Sequence, residues 1–395
     1  MSGRAATEVA ATPTTDRRRM WPLYAAGFTT AFGAHGIAAN LGAADKDLVR
    51  SVLYLGALLA LYDGAEVVLK PVFGTLADRV GARPVLLGGL VAFAGASAVF
   101  VAVRDPGWLW AARLGQGAAA SAFSPAASAL VARLNPQAGH GRAFGSYGFY
   151  KSIGYTAGPL LGGALVWAGG LTLLFTVLML LAAAVALWAA FTVPAVSPLP
   201  RSRQTLLGLA RGLADGTFVR PVAALAAATA ALSVGVGFLP LSGAADGLSP
   251  VATGAAVSVL AACAALVQPW AGRALDEARL TARTGLAAGL AVTACGLVAA
   301  LLPGVAGLLT AAVLIGAGTG LITPLGFAAL AAVTPKERMG QTMGTAELGR
   351  ELGDAGGPLL VASVASAATL GWGYAVLAAV TALLLLALAT RRTPR

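Results

Sequence analysis

Apolar runs of about twenty residues follow one another along nearly the whole chain, separated by short polar breaks. At 1.5 Å rise per residue, such a run spans the roughly 30 Å hydrocarbon core of a bilayer. The pattern predicts an all-α polytopic membrane protein with twelve spanning helices, over 21–41, 51–73, 84–103, 108–132, 143–168, 171–193, 220–241, 251–271, 284–302, 305–332, 341–366 and 371–390. The first run follows Arg17-Arg18-Arg19 but contains His35 and Asn40 and has no small-residue cleavage site, so it reads as a retained helix rather than a signal peptide. His35 and Asn40 read as hydrogen-bonded core residues. One long polar break, Pro194 to Pro221, separates six spans from six. Its Leu206, Leu207, Leu209, Ala210 and Leu213 suit a short amphipathic helix lying on the membrane surface.

Charge adds orientation. The residues are 58% hydrophobic and 11% charged, against about 25% charged in a soluble domain. A net charge of +11 would point to nucleic acid in a soluble protein, but its distribution here points to the bilayer. Twenty of the 27 Lys and Arg residues, among them Arg79, Arg83, Arg133 and Arg142, fall on the side that holds both termini. Only Lys46, Arg50 and Arg104 fall on the other. Positive residues accumulate on the cytoplasmic side, so both termini are expected in the cytoplasm and the chain in the cell (inner) membrane. The expected units are a cytoplasmic tail over 1–20, a six-helix bundle over 21–193, a cytoplasmic loop over 194–219, a second bundle over 220–390 and a tail over 391–395. Cys263 and Cys295 lie inside apolar runs as small fillers, with no disulfide or metal-ligand spacing.

The halves repeat each other. Gly117, Pro125, Pro136, Gly141, Gly145, Lys151, Gly154 and Pro159 recur 199 positions later as Gly316, Pro324, Pro335, Gly340, Gly344, Arg350, Gly353 and Pro358. Gly74 and Asp78 recur 198 positions later as Gly272 and Asp276. The chain thus reads as two pseudo-symmetric six-helix bundles.

Three short motifs carry a family resemblance. The stretch from Pro71 to Arg83 reads as a charged turn at the membrane surface, with Asp78 placed to cap the following helix. Its pattern G-x-L-A-D-R-x-G-x-R (Gly74, Asp78, Arg79, Gly81, Arg83) resembles the signature loop of the major facilitator superfamily, with Ala82-Arg83-Pro84 in place of the usual basic pair. In the fifth helix Gly154, Gly158, Pro159, Gly162 and Gly163 match G-x-x-x-G-P-x-x-G-G, which in that superfamily marks drug:proton antiporters and other exporters. Physically, such glycines let two helices approach closely and the proline kinks the helix. In the fourth helix Leu109 to Gly117, with Arg113, Gln116 and Gly117, resembles the family's arginine-containing motif. The resemblance implies a substrate site at the interface between halves near the midplane, and a second helix lying against the eleventh.

Nine charged residues fall inside the spans: Asp63, Glu66, Lys70, Arg113, Lys151, Glu347, Arg350, Glu351 and Asp354. Each costs about 2.5–3.5 kcal/mol if left at the centre of a lipid-facing helix, so they must face inward, pair or change protonation. Asp63, Glu66 and Lys70 form one stripe of the second helix, and Glu347, Arg350, Glu351 and Asp354 one stripe of the eleventh. Equal depths along the two helices make Glu66–Arg350 the expected cross-helix pair, with Lys70–Glu347 below it. Asp63 and Asp354 are left without an evident cation. The set reads either as a latch that holds one conformation or as a proton carrier, with Asp63 first for depth. Arg113 and Lys151 read as a counter-ion or relay, or else as partners of buried acids. Tyr147, Tyr150, Lys151 and Tyr155 are the candidate cavity wall, where the rings would stack on an aromatic or amphipathic substrate.

No phosphate-binding Gly-Lys-Ser/Thr loop, zinc-binding helix or serine elbow occurs, so the sequence supports no enzyme, no cofactor and no direct use of ATP. The expected activity is secondary active transport by alternating access, exporting small amphipathic compounds against protons, by a monomer. The alternatives are a proton-coupled symporter for a small, anionic metabolite, and a non-transporting sensor on the same scaffold. A large soluble output domain would favour the sensor, and tails of about 20 and five residues argue against it.

Overall fold

The structure, a computed structural model, describes residues 17–44, 52–103, 108–196 and 215–389. The expected surface helix near Leu206 and the outer charges Lys46, Arg50 and Arg104 lie outside the described residues. Every regular element described is helical: α1 (Arg17–Ala44), α2 (Val52–Val80), α3 (Ala82–Val103), α4 (Leu109–Leu134), a long run His140–Thr192, α7 (Gly216–Ala245), α8 (Pro250–Asp276), α9 (Ala282–Ala299), α10 (Gly304–Val333), α11 (Met339–Ala367) and α12 (Leu370–Ala389). The long run breaks at Gly169 and at Gly170, whose φ of +67° lies in the left-handed region that favours glycine. It is therefore two helices, α5 (140–168) and α6 (171–192), which brings the described helices to twelve.

Among the described residues seven segments, the α5–α6 run counted once, are long and apolar enough to cross a membrane by length and composition. The others include α2 and α11, which carry charges in mid-helix, and α4, which is rich in Ala and Ser. They face neighbouring helices instead of lipid: in α4 every residue from Ala119 to Ala132 is buried. Lipid-facing surface falls to helices such as α3, α6 and α12, which expose Val91, Leu187, Phe191 and Leu383.

The repeat seen in the sequence is a repeat of contacts. A Cβ on Gly117 would strike the backbone of Tyr62, and one on Gly316 the backbone of Leu260. Gly145 of α5 lies against Gln268 of α8, and Gly344 of α11 against Lys70 of α2. Gly154 meets Phe28 of α1, and Gly353 meets Ala226 of α7. Small residues recur because the same pairs of backbones touch in each half and across the two seams between halves.

Those seams, α2 on α11 and α5 on α8, close one end of the molecule. The turn there after α2 is a single residue, Gly81, at φ +103°. The expected charged turn from Pro71 is thus a correction: α2 stays helical to Val80, because Pro71 is tolerated inside a helix supported by neighbours and only Gly81 leaves helical geometry.

Candidate functional site

The signature stretch acts across the molecule. The Asp78 carboxylate accepts from the backbone amides of Gly340 (2.7 Å) and Gln341 (2.8 Å), the free N–H groups that open α11. Sequence proximity suggested the start of α3 instead. Asp78 sits before the end of α2, so its side chain points at the helix packed beside it. Its symmetry mate Asp276 accepts from Gly141 and Arg142, both at 2.8 Å, at the start of α5. Arg83 donates to the carbonyl of Ala190 at the end of α6 (2.6 Å), while Arg79 is exposed.

Deeper in the bundle the intramembrane charges form one network. Lys70 Nζ donates to Glu351 Oε1 across the seam (2.5 Å) and to Glu66 Oε2 on its own helix (3.0 Å), and lies 4.0 Å from Glu347. Lys151 of α5 donates to both Glu347 oxygens at 3.0 and 3.2 Å, and Arg350 approaches the same carboxylate at 3.5 Å. Ser128 of α4 donates to Glu347 at 3.4 Å. The Lys70 and Glu347 side chains are 1% and 0% exposed, so pairing is the only way they can remain charged there. The expected Glu66–Arg350 pair does not form. Equal depth does not fix azimuth: Lys70 takes Glu66 on its own helix, and Arg350 turns toward Glu347 and a cavity.

Asp63 and Asp354 make no ion pair among the described residues; Asp354 accepts a hydrogen bond from Ser233 of α7. Arg113 is 1% exposed, stacks 4.3 Å above the Tyr62 ring and makes no ion pair among the described residues. Gln116 donates to Ser97 of α3 (2.8 Å). Gly154, Gly158 and Gly162 of the fifth-helix motif pack on the backbone of α1, and Gly163 on Asn40. Asn40 itself donates to the carbonyls of Gly36 (2.8 Å) and Pro159 (3.0 Å).

Two cavities flank the network. The larger, about 510 Å³, lies between the halves and is walled by Phe144, Tyr147, Tyr155, Gln268, Arg350 and Asp354 among others. It reaches Leu160 on α5, Gly237 on α7 and Val257 on α8, away from the closed end. The smaller, about 120 Å³, is strongly polar: Asp63, Glu66, Lys70, Arg113 and Glu351 line it. His35, Lys151, Tyr155 and Asp354 belong to both walls, with the His35 and Tyr155 rings 3.9 Å apart. Of the expected cavity residues, Tyr147, Lys151 and Tyr155 line the larger space. Tyr150 does not: it stacks on Tyr24 at 5.1 Å and against Trp21, on the other side of α5. His35 is more than the buried core residue expected, and Gln268, Ser152 and Ser233 were missed. The 198-residue offset that relates Asp78 to Asp276 also relates Lys70 to Gln268, so the repeat carried a signal for Gln268.

A family model described as Major Facilitator Superfamily matches residues 23–244 and again 222–395. The chain belongs to the major facilitator superfamily. It is a multi-pass membrane protein with the fold of that superfamily, built as two pseudo-symmetric six-helix bundles. Its fold is similar to a crystal structure of the human organic anion transporter MFSD10 (TETRAN), with a TM-score of 0.79 at 18% identity over 96% of this chain and 100% of that one. It is equally similar to FucP in the outward conformation, with a TM-score of 0.79 at 13% identity over 95% and 99%. In sequence it is 42% identical over 93 residues to puromycin resistance protein pur8 of Streptomyces alboniger, covering 23% of this chain and 18% of that protein. It is 35% identical over 114 residues to the class G tetracycline resistance protein of Vibrio anguillarum, covering 28% of each. To the inner membrane transport protein YajR of Escherichia coli it is 28% identical over 173 residues, 43% of this chain and 36% of that one. The chain thus spans between 18% and 36% of the length of these superfamily relatives.

Proposed function

We propose that this protein is a proton-coupled exporter of small amphipathic compounds, working by alternating access in the cell membrane with both termini in the cytoplasm. The twenty-to-three division of Lys and Arg supports that orientation and makes the sealed end cytoplasmic. The observation that carries the reading is the Lys70–Glu351 bridge across the halves beside two carboxylates, Asp63 and Asp354, that make no ion pair among the described residues. An antiporter needs an acid that reaches one side at a time and a contact between halves whose strength depends on that acid's charge. The small polar chamber joins Asp63 to Glu66, Glu351 and Asp354.

Similarity to resistance proteins supports efflux. The larger cavity supports an amphipathic cargo: Phe144, Tyr147, Tyr155 and Phe327 offer rings, and Asp354 offers a charge. Uptake of an anion is supported less well, because Lys151 and Arg350 are both engaged by Glu347 and Arg113 faces the small chamber.

The test is transport in proteoliposomes that hold a pH-sensitive dye, with an imposed proton gradient and a panel of lipophilic cations and antibiotics. Compound-triggered proton movement is expected in the wild type, with loss of that movement in Asp63→Asn. Active transport at wild-type level by Asp63→Asn would remove the assignment.

A further inference from the structure

The two seams at the closed end are built from symmetry-related positions, and one hydrogen bond occupies the same place in each. At the α2–α11 seam Lys70 donates to Glu351 at 2.5 Å. At the α5–α8 seam the residue 198 positions after Lys70 is Gln268, and the residue 199 positions before Glu351 is Ser152. Gln268 Nε2 donates to Ser152 Oγ at 2.7 Å. The correspondence continues. Glu66, which accepts from Lys70 one turn away, maps onto Ala264, whose carbonyl accepts from Gln268 at 3.0 Å. Glu347 maps onto Gly148, which lies directly against the Gln268 side chain. The backbones are in register as well: a Cβ on Gly344 would stand 2.7 Å from the Lys70 carbonyl oxygen, and one on Gly145 2.6 Å from that of Gln268. One contact is thus built twice, once with a lysine among three carboxylates and once with an amide, a hydroxyl and no charge.

We propose that these are paired latches of which only one is ionic: protons release the cytoplasmic closure through Lys70, Glu66 and Glu351, while Gln268 and Ser152 supply the same closure as a neutral contact indifferent to pH. The inference rests on the proton-coupled reading above. Protonating Glu351 or Glu66 strips Lys70 of a partner inside the membrane, so the ionic seam weakens and the halves separate; no equivalent event exists for an amide and a hydroxyl. The other titratable or charged groups facing Lys70 are Glu347, held by Lys151 and Arg350, and, across the small chamber, His35, Tyr62, Asp63, Arg113, Tyr155 and Asp354. Near Gln268 the adjacent charge, Lys151, points to Glu347. Farther toward the cytoplasm Asp78 and Asp276 occupy both seams alike and do not distinguish them.

The experiment exchanges one latch for the other's chemistry. Glu66→Ala/Lys70→Gln/Glu351→Ser writes the neutral set into the ionic seam. Nitroxides at the exposed positions 80 and 333, with Cys263 and Cys295 replaced by Ala, report the cytoplasmic opening by pulsed electron spin resonance in nanodiscs. In the wild type, acidification from pH 8 to 5 is expected to enlarge the long-distance, cytoplasm-open population. In the triple variant the closed population persists at pH 8 and the acid response falls at least threefold. Ser152→Ala/Gln268→Leu is expected to keep the acid response. Lys70→Gln/Glu351→Gln, nearly isosteric, replaces the triple variant should that not fold. A full acid response in the neutralised variants, or its loss in Ser152→Ala/Gln268→Leu, overturns the inference and leaves proton coupling intact. A wild type that ignores pH overturns the coupling reading and the inference with it.

Discussion

Gly344→Ala should push the protein out of the state in which the two seams are closed. A Cβ on Gly344 would stand 2.7 Å from the carbonyl oxygen of Lys70 and 3.3 Å from the Cα of Gly74, both backbone atoms of α2 that cannot swing aside. Restoring ordinary van der Waals separation requires α2 and α11 to part by roughly 0.7 Å, and overpacking of that kind costs about 1–3 kcal/mol. The clash exists only while the seam is closed. The helix-propensity gain of alanine over glycine is present in both conformations and cancels in the difference. A differential of 1–3 kcal/mol corresponds to a shift of about 5- to 150-fold in the closed-to-open ratio. Gly145→Ala at the other seam, 2.6 Å from the Gln268 carbonyl oxygen, should act by a similar amount. Gly88→Ala is the control, because nothing lies within 4 Å of a Cβ there. Labels at positions 80 and 333 read the populations at constant pH. Gly344→Ala with the same distance distribution as Gly88→Ala would refute the argument that these seams are bistable.

Lys70→Met should destabilise the closed state by about 3–5 kcal/mol, since it leaves buried Glu66 and Glu351 without their cation. Thermal unfolding in detergent checks this, and a melting temperature equal to the wild type's would contradict it. Tyr147→Ala should raise the half-saturation of an aromatic substrate roughly 2- to 12-fold, the equivalent of 0.5–1.5 kcal/mol of ring contact. Tyr150→Ala, off the cavity, should leave it unchanged in the same flux assay.

Features that depend on distance along the chain were legible before any fold was known. Runs of twenty apolar residues can only be spans, because no other structure satisfies the backbone in lipid. The glycine and proline offsets revealed the repeat because close backbone contacts admit only small residues wherever they recur. The stripes on α2 and α11 were legible because helical periodicity alone puts Asp63, Glu66 and Lys70, or Glu347 and Glu351, on one face. Which side chain meets which across a seam was not legible in the chain, since the rotation of one helix about its axis is set by packing with its neighbours. That rotation gave Lys70 to Glu351 and turned Arg350 toward Glu347. It also sent Tyr150 to the far side of α5 and carried Asp78 to the start of α11. The unlike chemistry of the two seams was written in the chain 198 positions apart, yet Gln268 and Ser152 are ordinary residues until the fold sets them where Lys70 and Glu351 stand.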